Sequence, residues 1–402
     1  MQNRVLVINS GSSSIKFSLI GVADKSLVCS GLAEKLGMDG ACLHTSYLSE
    51  KQTVLLPIGS HEDAMHAILQ FLQYHQLPGN IAAVGHRVVH GGEFFKSSTL
   101  ITEPVLEAIR KCVPFAPLHN PANLAGIEAA ITAMPSLPQV AVFDTAFHQT
   151  LPSHAFRYAL PQTFYTDYGV RRYGFHGTSH QYVSMEAAKL LNIPLEDSAF
   201  ITAHLGNGAS ASAILNGKSV DTSMGFTPLE GLVMGTRSGD VDPGLHAYLA
   251  GALRINVVEV ENLLNKKSGL LGLSGLSADM RELQQAADNG HEASMLAIEV
   301  FVFRLAKYIA SLSVSLPRVD ALIFTGGIGE NAYKVRAKTL ERLAVLGYKV
   351  DNAANIKATR GKPGIISEEG STRVLVINTN EELMIALETI RVVAAIEAPA
   401  IN

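Results

Sequence analysis

Hydrophobic and polar residues alternate in short runs at the start of the chain and change to helical spacing after Ser60. A β-branched run, Val5, Leu6, Val7 and Ile8, ends in Asn9-Ser10-Gly11-Ser12-Ser13-Ser14, and apolar residues resume at Phe17, Leu19 and Ile20. This predicts a strand, a tight turn of small residues and a returning strand. Leu27–Leu48 alternates loosely and adds further strands to the same sheet. Ser60-His61-Glu62-Asp63 reads as a helix start with Ser60 as cap. Ala64, Met65, Ile68, Leu69 and Leu72 give that helix an apolar face. Ile81–Val84 is a short strand running into Gly85-His86-Arg87-Val88-Val89-His90-Gly91-Gly92. Glu103–Cys112 is a second helix, and Val140–Phe143 a strand ending at Asp144-Thr145. Gln149-Thr150-Leu151-Pro152 marks a boundary.

The second half repeats the opening. Ala199–Leu205 is again a strand, followed by Gly206-Asn207-Gly208-Ala209-Ser210 and a return through Ala213, Ile214 and Leu215. With Gly206 laid on Gly11, Ile214 and Leu215 fall on Leu19 and Ile20. A third instance is Ala321–Phe324 running into Thr325-Gly326-Gly327-Ile328-Gly329-Glu330-Asn331. Glu292–Leu312 is a long apolar helix. Val374–Ile377 is a strand, and Thr379 with Glu382 forms a capping box for a final helix through Val393. Two halves that each open on a hairpin with a Gly/Ser/Asn turn predict a duplicated α/β domain with a cleft between the copies. Ligands of such sheets bind at strand ends. The turns match neither a dinucleotide fingerprint nor a Walker loop.

Composition narrows the class. With 402 residues, 47% hydrophobic and 17% charged, the chain holds about two domains and a large core. A net charge of −4 gives no electrostatic footprint for nucleic acid or an anionic membrane. Cys29, Cys42 and Cys112, none in a CxxC pair, argue against a disulfide framework or a zinc site. No signal peptide pattern and no apolar run near the roughly 18 residues of a membrane span is present, which predicts a cytoplasmic chain.

The candidate chemistry lies at strand ends. Gly11 lets backbone approach a ligand, and the neighbouring serines with Lys16 could cradle phosphate oxygens. Arg87, followed by paired glycines, suits a carboxylate or phosphate held through two parallel hydrogen bonds, though a lone arginine is as often an ion-pair partner. Asp144 ends an apolar strand, a costly place for a carboxylate without a partner or a role. His119 sits in a proline-bracketed loop where capping explains it equally well. His176 and His180 are four apart, but the intervening Gly177 and the missing third ligand argue against zinc. With a helix reaching from Thr178 to Ala188, His176 is left in a turn facing outward. Arg237 lies in a glycine-flanked loop suited to placing a cation on moving charge. Asp240 and Asp242 read as turn residues, and Asp279 with Arg281 as a surface ion pair. Phosphoryl transfer needs this inventory, because its catalysis is mostly positioning and cationic stabilisation.

Those segments closely resemble the acetate kinase family, short-chain acyl phosphotransferases of the actin-like ATPase superfamily. The resemblance runs through NSGSSSIKF, GHRVVHGGE, APLHNP, FDTAFHQT, RYGFHGTSH, HLGNGAS, DTSMGFTPLEGLVMGTRSGDVDP, FTGGIGEN and NTNEEL, in the family's order. It implies duplicated actin-like ATPase (ribonuclease H-like) domains with an interdomain active-site cleft. Residues 1–148 joined by the C-terminal helix 382–402 would form one domain, and residues 149–381 the second, which carries the nucleotide site and a homodimer interface. The implied reaction is reversible, magnesium-dependent phosphoryl transfer between ATP and acetate, giving acetyl phosphate and ADP, with manganese able to substitute. Asn9 and Glu381 would serve the metal, and Ser12, Ser14 and Lys16 the phosphates. His204, Leu205, Gly206, Asn207 and Gly208 would bind ATP, with Asp279, Met280 and Arg281, and with Gly327, Ile328, Gly329, Glu330 and Asn331. Arg87 would hold the acyl carboxylate and Asp144 would be the essential aspartate. His176 and Arg237, with His119 near them, would stabilise the phosphoryl group in flight. Val89, Leu118, Phe175 and Pro228 would line the methyl pocket, where valine at position 89 favours acetate over propionate. Two alternatives stay open: a sugar or polyol kinase using Asp144 as general base, and a nucleotide-gated chaperone or filament protein.

Overall fold

Arg4–Gly11 (β1) and Ser14–Gly21 (β2) pair antiparallel with Gly11 opposite Ser14, so Ser12 and Ser13 alone make the turn. They open a computed structural model that describes residues 4–397; the remainder of the expected spans, 1–3 and 398–402, lies outside the described residues. The chain divides into two compact units, one of residues up to Phe147 plus those from Asn380, the other His148–Thr379. The junctions fall one and two residues before those expected from the sequence. His148 belongs to the second unit because its ring bonds Ser219 Oγ at 2.7 Å and the Phe175 carbonyl at 2.9 Å. Thr379 stays there because its N–H donates to Glu330 Oε1 at 3.0 Å.

In the first unit Ser26–Glu34 (β3), Cys42–Tyr47 (β4) and Glu50–Leu55 (β5) continue the sheet beyond β2, as the loose alternation predicts. On the other side of β1 lie Ile81–Val88 (β6), Gln139–Phe143 (β8) and the short Thr99–Leu100 (β7), giving the order β5-β4-β3-β2-β1-β6-β8-β7. β1, β6 and β8 are parallel. The helix His61–Tyr74 starts where expected: Ser60 Oγ accepts from the Asp63 N–H at 3.0 Å, and Ala64, Met65, Ile68 and Leu72 are buried. They pack with Leu6, Ile8, Ile15, Phe17 and Leu19 from one face of the hairpin. The C-terminal helix, Glu381–Glu397, packs on β1, β6 and β8. Gly85 permits its close approach, since a Cβ there would stand 2.3 Å from Thr389 Oγ1 and 2.9 Å from an Ile385 methyl. The cap of this helix differs from the expected box: Asn380 Oδ1 accepts from the Leu383 N–H at 3.0 Å. Thr379 is instead drawn to Ser179, Oγ1 to Oγ at 2.7 Å, and Glu382 to Lys16.

The second unit repeats the topology. Ala199–Leu205 (β9) and Ala209–Leu215 (β10) form its hairpin, Lys218–Thr222 (β11) extends it, and Ala321–Thr325 (β12) and Arg373–Val376 (β14) lie parallel to β9. With Gly364–Ile365 (β13) the order is β11-β10-β9-β12-β14-β13. The two hairpins are not in register. Leu205 pairs with Ala209 around a three-residue turn, so the strands slip by one residue relative to the first hairpin, whose turn has two. The third small-residue segment is not a turn between strands: Gly326–Asn331 winds directly into a short helix after β12. Gly326 makes that junction with φ of +76°, and a Cβ on it would press on the Leu205 backbone at 2.8–3.0 Å. The long helix Glu292–Ser313 buries Ala297, Ile298, Phe301, Val302, Leu305 and Ile309.

Of the buried histidines among the described residues, His86 and His90 in the first unit and His148 and His180 in the second are kept neutral by their burial. Burial pulls His86 and His148 down to about 4 and His90 to about 3, and drives His180 well below the ordinary value. An unfolded chain binds these protons near the ordinary 6.5, so the buried rings support the fold fully above that pH. The support is lost as pH falls from there toward 4, by about 1.4 kcal/mol per pH unit for each histidine. Each unit holds two of them, so whichever unit opens first, the urea midpoint is expected to fall steadily between about pH 6.5 and about pH 5. A flat midpoint over that range would show that the rings are hydrated in the native chain.

Candidate active site

Asn9, Arg87 and Asp144 lie at or just beyond the carboxyl ends of parallel strands, and Glu381 starts the helix that covers them. Asn9 is near the end of β1, Arg87 near the end of β6, and Asp144 directly follows β8. Arg87 grips Asp144 with two parallel bonds, Nε to Oδ1 at 3.0 Å and Nη2 to Oδ2 at 2.6 Å, and turns Nη1 toward Asn9 Oδ1 at 3.4 Å. Asp144 is 2% exposed. Burial pushes its carboxyl up from the ordinary range and the charge on Glu381 adds to that, while Arg87 and His119 pull the other way. Asp144 in turn raises Arg87 further above its already high value, so the guanidinium is always charged. The strand-end carboxylate thus has its partner: the arginine that the sequence left between an ion pair and a ligand site is in an ion pair.

Asn9, Arg87 and Glu381 line a small cavity of about 30 Å³ together with Lys16 and Glu382. An amide oxygen and two carboxylates are hard oxygen donors, the kind magnesium takes. Lys16, expected to face phosphate, is paired with Glu382. Ser12 is exposed at the turn and Ser14 half-buried. Two residues that sequence reasoning missed hold this end of the sheet in shape. Asn123, 3% exposed, accepts from the Val89 N–H at 3.0 Å and donates to the Ser10 carbonyl at 2.7 Å. Asn120 exchanges two bonds with the His90 backbone at 3.1 and 2.9 Å. Both come from the helix Asn120–Ala133, which begins immediately after His119. Buried amides in the segment HNPAN were the available signal. Val89 is buried, whereas Leu118 is exposed on its loop.

In the second unit His176 precedes the helix Gly177–Leu191 with a left-handed φ of 56°. It is not simply turned outward: Nδ1 bonds Ser210 Oγ at 2.9 Å, and the ring stacks on His204 at 4.4 Å between centroids. Ser210 Oγ also meets His180 Nε2 at 2.7 Å, and His180 Nδ1 meets Thr202 Oγ1 at 2.6 Å. His204 is buried and bonded through Nδ1 to Ser179 Oγ at 2.8 Å. A relay of hydroxyls therefore fixes the orientation of these rings. Arg237 approaches the same point from another loop. A Cβ on Gly208 would stand 3.3 Å from His176 Nε2 and 3.5 Å from Arg237 Nη1, so the two groups flank a stretch of bare backbone. Arg237 Nη1 donates to the Pro228 carbonyl at 3.0 Å. Burial lowers its pKa, without neutralising it. Arg172 anchors the Pro228 segment by donating to the carbonyls of Thr222, Ser223 and Met224 and to Glu230 Oε1 at 2.6 Å. The Phe175 side chain is buried nearby in sequence.

Gly206, Asn207, Asp279, Met280, Arg281, Gly327, Ile328 and Asn331 line one cavity of about 1120 Å³. His204, Leu205, Gly208, Gly329 and Glu330 do not line it. Glu330 instead closes the junction behind it, accepting from the Gly326 N–H at 3.0 Å as well as from Thr379. Asp279 caps the helix Met280–Asp288 and forms the expected pair with the exposed Arg281, Nη2 to Oδ2 at 2.6 Å. Three further cations line the cavity: Lys357, Arg360 and Lys362. The basic cluster IKATRGK was the overlooked signal. Arg336, fully buried, braces this wall by donating to Asn355 Oδ1 and to the carbonyls of Gly329, Asn355 and Ala358 at 2.7–2.9 Å. Asp242 is a turn residue as read, accepting from the Gly244 N–H at 2.7 Å, whereas Asp240 is a long-range bridge: it accepts from the Gly231 N–H at 2.7 Å and from the Tyr308 hydroxyl, and it pairs with Arg304. No helix among the described residues is long and apolar enough to cross a membrane.

Comparison with known proteins agrees with the resemblance. The model of the acetokinase family matches residues 4–387. An acetate kinase of Deinococcus deserti is 56% identical over 391 residues, covering 97% of this chain and 98% of that one. The crystal structure of Porphyromonas gingivalis acetate kinase superposes with a TM-score of 0.93 at 44% identity, covering 97% of this chain and 100% of that one. That of a propionate kinase from Francisella tularensis gives 0.92 at 46% identity, covering 97% and 99%.

Proposed function

The chain belongs to the acetokinase family, and we propose that within it the chain moves a phosphoryl group reversibly between ATP and acetate, giving acetyl phosphate and ADP. The observation that carries the reading is the convergence of His176 Nε2 and Arg237 Nη1 on the backbone at Gly208. An imidazole and a guanidinium flanking a site without a side chain can grip the equatorial oxygens of a planar phosphoryl group.

Several of these residues have surroundings that support the proposed work. Arg87, with its plane fixed by Asp144, offers its remaining N–H donors to the carboxylate of acetate. Both oxygens of Asp144 are engaged by that guanidinium and buried, which favours direct in-line transfer over a phospho-enzyme on this carboxylate. His119 adds positive character beside it. The cavity of the second unit takes the nucleotide, with Lys357, Arg360 and Lys362 as extra cations. Asn9 and Glu381 would hold magnesium or manganese, which would supply positive charge against the charge of the phosphates. Ser12, Ser14 and Lys16 are assigned to the phosphates, and Val89, Leu118, Phe175 and Pro228 to the methyl group. We assign the chain to the cytoplasm, and to a homodimer through the second unit. The helix Gly244–Leu253 buries none of its residues, and Tyr248, Leu253, Val257 and Val258 are more than half exposed.

The test is kcat/KM for acetate, propionate and butyrate with ATP and magnesium, trapping the acyl phosphate as hydroxamate. Acetate is expected to lead, with about a 10-fold fall to propionate and more to butyrate, and Val89→Ala to narrow the gap. A preference for propionate would keep the reaction and overturn the pocket. No trapped product with any acid would leave a hydroxyl kinase or a chaperone-like ATPase.

A further inference from the structure

We propose that Glu34, Cys42 and His44 form a zinc-binding site on the sheet of the first unit, with a fourth coordination position open to water. The site is independent of the phosphoryl-transfer reading. Strand register assembles it. Glu34 and Cys42 are directly opposite on β3 and β4, and His44 is two residues further along β4, so all three side chains leave the same face. His44 Nε2 lies 3.3 Å from Cys42 Sγ and 3.5 Å from Glu34 Oε1, and the three donor atoms lie within 4.8 Å of one another. Bonds of about 2.0–2.3 Å from a tetrahedral zinc to its ligands imply ligand separations of about 3.3–3.6 Å. The two measured separations match those edges.

The imidazole is also oriented as a zinc ligand needs to be. His44 Nδ1 lies 2.8 Å from Thr53 Oγ1, the residue opposite it on β5. A hydroxyl that takes the Nδ1 hydrogen leaves the Nε2 lone pair turned toward Cys42 and Glu34, and such outer bonds fix metal-bound histidines. Cys42 is 8% exposed, whereas the His44 and Glu34 side chains are 45% and 40% exposed, so a cation can enter from solvent and meet a thiol already in place. Binding converts the thiol to a thiolate and releases its proton to solvent. A Cys/His/carboxylate set selects zinc over magnesium, which avoids sulfur. The spacing of cysteines along the chain gives no hint of this, because the ligands meet across strands.

Full-length protein stripped with a chelator and desalted after exposure to zinc should retain one zinc per chain. Cobalt in its place should show tetrahedral d–d bands and a thiolate-to-cobalt charge-transfer band. In competition with a chromophoric chelator, C42S and H44A should each weaken zinc binding by at least about 100-fold, and T53V by about 10-fold. None of the three lies in the phosphoryl-transfer machinery, so unchanged hydroxamate rates would show that the variants are folded. Zinc held equally well by C42S, cobalt bound without the thiolate band, or no metal retained by the parent would each overturn the site.

Discussion

Asp144→Ala is expected to lower kcat by at least about 10²–10³-fold and to destabilise the first unit by about 3 kcal/mol. The two losses share one cause. Asp144 is 2% exposed and takes two bonds from Arg87, so its removal leaves the guanidinium without its bidentate partner, with only the more distant charges of Glu381 and Glu382 acting on it. Breaking a buried pair from one side costs about 3–5 kcal/mol, and the lower figure applies because the Arg87 side chain is 24% exposed and water can reach it. The catalytic loss follows from geometry: the two bonds fix the plane of the guanidinium, and without them it swings toward Glu381 and Glu382, whose charges already act on it. Asp144→Asn separates the effects. Its amide keeps one acceptor for Arg87 but sets an N–H against the other donor, so most of the stability should return while kcat stays low. Steady-state kinetics at saturating acetate, with urea unfolding of the same samples, make the measurement. A D144A variant with parental kcat would remove the aspartate from the mechanism.

The pattern of apolar residues made the strands and the longer helices legible because each signal was local. Ser60 caps the helix it precedes, and the run from Val5 to Ile8 is a strand whichever sheet receives it. Arg87, Asp144, His176 and Arg237 were also legible, as polar residues at the ends of apolar strands or in glycine-flanked loops. What the sequence could not show depends on partners far along the chain. Whether Arg87 faces a ligand or a carboxylate is decided by residue 144, 57 positions away. Thr379 looked like a helix cap until Ser179 and Glu330 took its hydroxyl and its N–H, and the cap passed to Asn380. GGIGEN looked like a turn because its glycines suit turns, but after β12 Gly326 lies close against the Leu205 backbone and the chain winds into a helix. The Glu34–Cys42–His44 cluster is the extreme case, since strand register alone brings it together.

Arg237→Ala is expected to cut kcat by about 10²–10³-fold, about 3–4 kcal/mol of barrier, while KM for ATP changes little. The distinction rests on where the guanidinium sits. Arg237 is absent from the lining of the large cavity formed by Asn207, Asp279 and Ile328, so a nucleotide held there, as proposed, would keep its contacts when the arginine is removed. Its Nη1 instead converges with His176 Nε2 on Gly208, where only charge moving between donor and acceptor would be felt. Burial lowers its pKa, which means the cation is partly desolvated and acts through a lower effective dielectric than a surface arginine would. Arg237→Lys tests the planar fork. A lysine keeps the charge but cannot hold the Pro228 carbonyl and a phosphoryl oxygen in one plane, so its kcat should recover only in part. Free guanidinium added to the alanine variant should restore some activity, because the cavity left by the side chain has the shape of the missing group. A large rise in KM for ATP with kcat intact would make Arg237 a nucleotide-binding residue, and near-parental values of both would mean that the phosphoryl group passes elsewhere.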